Sequence, residues 1–225
     1  MNLFSKNQIN KRLQNAVEEL TQNQIERRII AIENLQTIAI EYPEEYNKVL
    51  QIITIYIRQN RSLKILNEFP TNPISEINTD IKTALKIITN PETDKYLRRD
   101  KIDLSCIDIR GANLRNANLK KINLEQSILY RVNLIDADLE NANLNSAVLS
   151  AANLTRANLT SANLSGAILN AANLTQANLS NADLRCANLF LANLRGANLK
   201  GVNFDRANLR EAFFNDKKAN HKVQN

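Results

Sequence analysis

The residue types that most often do chemistry are scarce in this chain. Its 225 residues hold one histidine, His221, and two cysteines, Cys106 and Cys186. A zinc site draws three or four ligands from His, Cys, Asp and Glu at close spacing, and a Ser–His–Asp relay needs its histidine beside a nucleophile. One histidine in the last five residues and two cysteines eighty residues apart supply neither pattern. The four glycines, Gly111, Gly166, Gly196 and Gly201, stand singly, so no glycine-rich loop can cradle a phosphate. The reading is therefore non-enzymatic, with no catalytic residue, cofactor or metal expected.

The abundant side-chain chemistry is that of asparagine, and its spacing is regular. From Leu104 to Phe214 a large apolar residue recurs at every fifth position, 23 times without a slip. Two residues before each centre stands Ala in most repeats, the exceptions being Ile102, Ile107, Ile122, Ser127, Val132 and Val202. Between the two stands Asn or Asp, except at Ile128, Val148, Ile168 and Phe213. The unit is A-N-L-x-x.

A period of five fits neither regular element. On an α-helix five steps of about 100° carry each Leu some 140° round the axis, so the set covers every face. On one long strand an odd spacing sends successive Leu to opposite sides. Both apolar positions can point inward each time only if the chain turns at every repeat. Four turns of about 90° close a square coil of twenty residues, and stacked coils pair backbones at about 4.8 Å. The repeats then make nearly six coils, a rod ~27 Å long, the signature of a solenoid. Every glycine falls two residues after a centre, at the corner where φ > 0 is needed. Asn116, Asn141 and Asn181 share that position and tolerate the same backbone. Cys106 and Cys186 share one corner four coils, or ~19 Å, apart, too far for a disulfide. Asn before each centre is expected to stack into ladders that also bond the backbone.

The first half has a different grammar. All four prolines, Pro43, Pro70, Pro73 and Pro91, lie there, and all four glycines lie in the second half. Leu13, Ala16, Val17 and Leu20 follow helical spacing, continued by Ile25, Ile29, Ile32, Leu35 and Ile38. Pro43 is read as the first residue of a new helix, with Glu44 and Glu45 in its first turn, whose stripe is Val49, Ile52, Ile53, Tyr56 and Ile57. Residues 61–73 read as a connector with two prolines, and a last helix from about Asn78 to Thr89 turns Ile81, Ala84, Leu85 and Ile88 inward. The expected architecture is α+β: an α-helical capping domain over 1–101, a β-helix over 102–216 and a polar tail over 217–225.

The repeats of 102–214 resemble the pentapeptide-repeat family, whose A-(N/D)-L-x-x units form a right-handed quadrilateral β-helix. The segments LQNAVEEL, RRIIAIENLQTIA, EYPEEYNKVLQIITIYIR and TDIKTALKIIT are similar to the helical segment that precedes the repeats in many cyanobacterial-type members. Such members often carry transmembrane helices before that segment. The first ten residues here hold no run of apolar residues suited to a signal peptide, and the run IIAI at 29–32 stops at Glu33. No membrane span and a cytoplasmic location are expected.

Charge and surface pattern narrow the function. The net charge of +6 is spread thinly: residues 1–101 carry 15 bases and 13 acids, residues 102–216 carry 11 and 10, and the tail adds Lys217, Lys218 and Lys222. No basic face is available for nucleic acid. The resemblance also implies an alternative, a DNA-mimicking protein that binds gyrase or another topoisomerase. Mimicry needs a strongly acidic rod, because DNA carries one charge per ~1.7 Å, and 11 bases against 10 acids oppose it. At a period of twenty, Ile128, Val148 and Ile168 fall on one face of three successive coils, with Tyr130, Ala151, Ala171, Phe190 and Leu191 on the same face and Arg131 on its edge. This outward apolar stripe reads as a protein-interaction or scaffold surface with a regulatory role. Cover by the helices or the tail, and chance alignment, are the other readings. Phe204, Phe213 and Phe214 close the last coil, where a strand edge must be capped or paired. The resemblance implies a homodimer through that coil.

Overall fold

The computed structural model describes residues 3–63, 77–90 and 102–215. Pro70, Pro73 and Pro91, most of the 61–73 connector and the polar tail with His221 lie outside the described residues. Contacts divide the chain into two compact units, Met1–Asn60 with Asn78–Arg98, and Arg61–Ile77 with Arg99–Asn225.

The first unit is helical: α1 Leu3–Leu20, α2 Ile25–Glu41, α3 Tyr46–Arg61 (its last residue counted with the second unit) and α4 Thr79–Ile88. Helix α1 packs on α2, and α2 on α4. A single line of α1, Ile9, Leu13, Ala16 and Leu20, is buried, while Val17 is 41% exposed. Burial here follows one row of side chains, narrower than the apolar pattern suggests. Pro43 opens a 3₁₀ turn, Pro43–Glu45, in which Glu45 N–H donates to the Tyr42 carbonyl at 2.9 Å; α3 starts only at Tyr46. On α3, Val49, Ile53, Tyr56 and Ile57 are buried and Ile52 is half-buried; on α4, Ile81, Ala84, Leu85, Ile87 and Ile88 are buried.

Helices α2, α3 and α4 and the turn after α1 share one polar node. Asp80, in the first turn of α4, is 2% exposed. Its Oδ2 accepts from the Tyr56 hydroxyl at 2.5 Å and from Arg28 Nε at 2.7 Å, and its Oδ1 accepts from Ile81 N–H at 2.8 Å. Arg28 also donates to the carbonyls of Gln22 and Asn23 at 2.8 and 2.9 Å, in the turn that follows α1. Burial pushes the Asp80 carboxyl up, but the hydrogen bonds from Tyr56, Arg28 and Ile81, with the Arg28 charge, outweigh it and hold the group below its ordinary value. Burial and the Asp80 contact push the Tyr56 phenol well up.

In the second unit, parallel bridges join residue n to residue n+20 from Asp103↔Asn123 to Asn193↔Phe213. The coils are therefore twenty residues long, 102–121, 122–141, 142–161, 162–181, 182–201 and an incomplete last coil from 202. Each face contributes one bridged residue per coil, and three backbone hydrogen bonds join a face such as that of Asn143 to the coil that follows, the first being from Asn163 N–H to Ala142 O at 2.9 Å. Leu144, for example, donates to Asn163 O at 2.7 Å and Ser146 to Ser165 O at 2.9 Å. The centres from Leu104 to Leu194 are buried, as are the small residues two before them. Ser127, the one polar residue in that inner row, donates to Leu104 O at 2.8 Å and accepts from Ile107 N–H at 3.3 Å, so it is buried without loss.

Every corner from Cys106 to Glu211 has φ > 0, including eighteen residues that are not glycine. In every turn after the first the centre's carbonyl accepts the N–H three residues on, as from Ala112 to Ile109 at 3.1 Å; in the first, the Ser127 hydroxyl bridges Leu104 O and Ile107 N–H. A left-handed residue with a Cβ costs ~1–2 kcal/mol. The corner is thus imposed by the ladder bonds on both sides, whatever side chain stands there. The asparagines serve both purposes expected of them. Asn143 donates to Asn123 Oδ1 at 3.0 Å in the coil before, and its own Oδ1 accepts from Asn145 N–H at 3.2 Å, fixing the turn.

Candidate protein-interaction face

The second face of the coil is where asparagine gives way. Its bridged column runs Asp108, Ile128, Val148, Ile168, Asn188 and Asn208. The three β-branched residues pair one above the next, and each is half-buried, because a neighbour above and below covers part of it. Position n+2 of that column is Arg110, Tyr130, Ser150, Asn170, Phe190 and Arg210, and position n+3 is Gly111, Arg131, Ala151, Ala171, Leu191 and Glu211. Tyr130 and Phe190 are half-buried, Arg131 is exposed and Leu191 is 37% exposed. The Arg131 guanidinium lies over the Tyr130 ring at 5.2 Å, and Arg210 over Phe190 at 5.9 Å. All seven residues read as an interface, Ile128, Tyr130, Arg131, Val148, Ile168, Phe190 and Leu191, stand on or at the edge of this face.

The column is bounded at both ends by polar pairs. At one end Arg110 grips Asp108 through Nε and Nη2 at 2.6–2.9 Å. At the other, Asn208 donates to Asn188 Oδ1 at 2.9 Å. Around its middle the rod is nearly free of charge. Between residues 141 and 182 the only ionisable charge is Arg156, and it is bound to Asp136 by two hydrogen bonds of 2.7 and 2.8 Å. The Arg156 contact holds the Asp136 carboxyl below its ordinary value. A period-twenty reading of the five-residue repeat finds the apolar column but not this neutral waist, which emerges from counting charges coil by coil.

The three terminal phenylalanines divide. Phe204 and Phe214 are half-buried centres, whereas Phe213 takes the bridged position opposite Asn193 and is 45% exposed, with the Arg195 guanidinium 5.6 Å from its ring. Phe213 breaks the asparagine ladder of the third face. Cys106 and Cys186 are both free, the first half-buried and the second exposed. Among the described residues no cluster of His, Cys, Asp and Glu is placed to hold a metal ion, and no helix is long and apolar enough to cross a membrane.

A family model described as pentapeptide repeats matches eight copies over residues 107–145, 147–185 and 187–216. A pentapeptide repeat protein, Rfr23, from the cyanobacterium Cyanothece 51142 is 37% identical; the match covers 49% of this chain and 88% of that one, with a TM-score of 0.48. HetL, a pentapeptide repeat protein involved in heterocyst differentiation regulation in Nostoc sp. strain PCC 7120, is 28% identical over 51% of this chain and 77% of its own, with a TM-score of 0.23. QnrB1, a plasmid-mediated fluoroquinolone resistance protein, is 17% identical over 54% and 68%, with a TM-score of 0.38. No curated protein sequence matches the chain. The family model stops short of the helical unit, so the assignment rests on the rod: by its unbroken repeat and its match to that model, the chain belongs to the pentapeptide-repeat family.

Proposed function

We propose that this chain is a non-enzymatic interaction or scaffold module, built on a right-handed quadrilateral coil, that offers the Ile128–Val148–Ile168 face to a protein partner. One observation carries the reading: the apolar column runs into a 42-residue band, 141–182, that holds Val148 and Ile168 and whose single charge, Arg156, is already paired. Interface cores are depleted of charge, enriched in aromatic side chains and rimmed by polar groups. Here Tyr130 and Phe190 flank the column, and Arg131 and Arg210 stack on them at its rim. A rigid surface loses little conformational entropy on binding, which suits a scaffold. A regulatory role fits a module that binds without turning over a substrate. The last coil, with Phe204, Phe213 and Phe214, is proposed as a homodimer contact. Two free cysteines suit a reducing compartment, in keeping with a cytoplasmic location.

The test is capture from the native lysate with two baits, wild type and Ile128→Asp/Val148→Asp/Ile168→Asp, each shown by circular dichroism to be folded. Proteins retained by the wild type and lost by the variant support the face as the binding surface. Identical captures on both baits contradict it.

A further inference from the structure

The second face is not level along the rod. Tyr130 and Arg131 stand on it in the coil 122–141, and Phe190 and Leu191 hold the same two positions in the coil 182–201. In the two coils between, those positions shrink to Ser150 with Ala151 and Asn170 with Ala171. The corner on the other edge of the face is small there too, Ser146 and Gly166. Val148 and Ile168, both half-buried, lie between the two edges. The face therefore dips into a saddle that crosses the rod over two coils, with an aromatic residue on either side.

Tyr130 and Phe190 are three coil steps apart, or ~14 Å. An α-helix with its side chains is about 10–12 Å across and fills that gap. A single strand is only ~5 Å wide and leaves the aromatic residues uncovered. A strand also finds nothing to pair with here, because the backbone of this face is already bonded along the rod. Val148 N–H donates to Ser127 O at 2.9 Å, and Leu149 N–H donates to Ile168 O at 2.7 Å. A helix brings its own backbone hydrogen bonds and needs only side-chain contact.

Charge selects among helices. On one side of the saddle the Arg131 guanidinium lies over the Tyr130 ring, and no acid among the described residues pairs with it. On the other side Arg210 lies over the Phe190 ring, and its acid, Glu211, is 3.9 Å away with both side chains exposed. The two coils between carry no acid or base on this face. The saddle is thus neutral, with a guanidinium on each side. The tail of this chain, with Lys217, Lys218 and Lys222 and no acid, is repelled by such a pair, and the same face of a second copy would set arginine against arginine. We propose that the saddle seats an acidic amphipathic α-helix of a partner protein, laid across the rod, with its apolar row on Val148 and Ile168 and carboxylates on both flanks meeting Arg131 and Arg210. The proposal rests on the reading of this face as the interface.

Fluorescence anisotropy with two synthetic amphipathic helices tests it on the full-length chain. Both carry Leu and Ala along one face; one has Glu on both flanks and its twin has Lys. The Glu peptide is expected to bind wild type about tenfold more tightly than its twin, by a margin that shrinks as salt rises. Arg131→Glu/Arg210→Glu is expected to reverse the preference, and Lys121→Glu/Lys200→Glu, on the opposite face of the coil, to keep it. Ala151→Leu/Ala171→Leu, which fills the saddle, is expected to bind neither peptide. Leu191 holds the same corner at φ 59°, so the backbone there accepts that side chain. Circular dichroism checks that each variant is folded. Equal binding of the two peptides to wild type, a preference that survives the Arg131 and Arg210 exchange, or binding that survives the two leucines overturns the helix. A photoreactive group at Ser150 of the purified chain that links to another part of the same chain, or to a second copy, names a different occupant and overturns it too. Failure of the interface itself reads differently. Native partners that survive Ile128→Asp/Val148→Asp/Ile168→Asp contradict the face, whereas partners lost on that variant but kept by Ala151→Leu/Ala171→Leu contradict only the saddle.

Discussion

In the helical unit one carboxylate, Asp80, holds α2, α3 and the turn after α1 to α4. Among the described residues of the repeat unit the bonds are short in reach: asparagines such as Asn143 bond their own turn and an adjacent coil, and each buried Leu is packed as the Leu twenty residues away is packed. The first arrangement concentrates stability in one point, and the second spreads it over nearest-neighbour contacts. A surface meant to stay rigid under substitution is better built the second way. Apolar residues such as Ile128 and Val148 can therefore replace asparagine without endangering the coil, because the bridge and the centre beside them are unchanged.

The sharpest break in this comparison is Asp80→Ala. Removing one partner of a buried ion pair costs ~3–5 kcal/mol, here because Arg28 and Tyr56 are left unpaired. Hydrogen exchange should show protection lost throughout α1–α4 while the amides of 122–195 keep theirs. Leu164→Ala, in the middle of the rod, should cost ~2–5 kcal/mol through its cavity, with exchange rising in the coils that touch it and not in the helical unit.

Acid separates the units without a mutation. Because Asp80 is held below its ordinary value of about 3.9, its contribution is complete above that value and is lost as pH falls through the lower folded one. The Leu–Ala interior of the rod carries no titrating group, and its carboxyls held below their ordinary value, Asp136 and Asp183, are paired with arginines at the surface, where such pairs add little. Exchange followed from neutral pH downward should show the helices opening first; simultaneous loss in both units would erase the contrast.

Tyr56→Phe keeps the ring and removes one hydrogen bond to a charged group, so the helical unit should lose ~1.5–3 kcal/mol in urea titration. The smallest effects belong to the corners. Ser161→Gly relieves a left-handed residue at φ 55° at the cost of a more flexible unfolded chain, for a net gain below about 1 kcal/mol. Gly201→Ala should have the opposite sign, because its Cβ would press on Asn181 Oδ1. Thermal melts of the two variants check both signs.

The rod is legible in the sequence because its rule is local and repeated: five-residue spacing, small–large inner positions and asparagine between them leave few backbones to choose from. The helical unit is legible only as helices. Its node joins residues 28, 56 and 80, each of which has an innocent local reading: a surface arginine, a tyrosine in an apolar stripe and an acid in a first turn. No spacing rule links positions so far apart. The antiparallel bridge of Ser62 to Ile107 is hidden for the same reason, since its bonds are made by backbone and residues 61–63 read as the start of a connector. Pro43 marks a turn of helix one step too early, because a 3₁₀ turn and an α-helix accept proline at the same position. The stripe is legible in register but not in exposure, because stacking half-buries Ile128, Val148 and Ile168.

The central functional claim is that partners meet the rod on its second face, beside the charge-poor band of 141–182. A photo-crosslinking amino acid placed at Ser150, between Tyr130 and Asn170 on that face, tests it most directly against the same group at Thr160, two faces away in the same coil. Irradiated in the native cells, the chain carrying the group at 150 is predicted to form a discrete protein adduct that the chain carrying it at 160 does not. Adducts of equal yield from both positions, or from 160 alone, would contradict the claim.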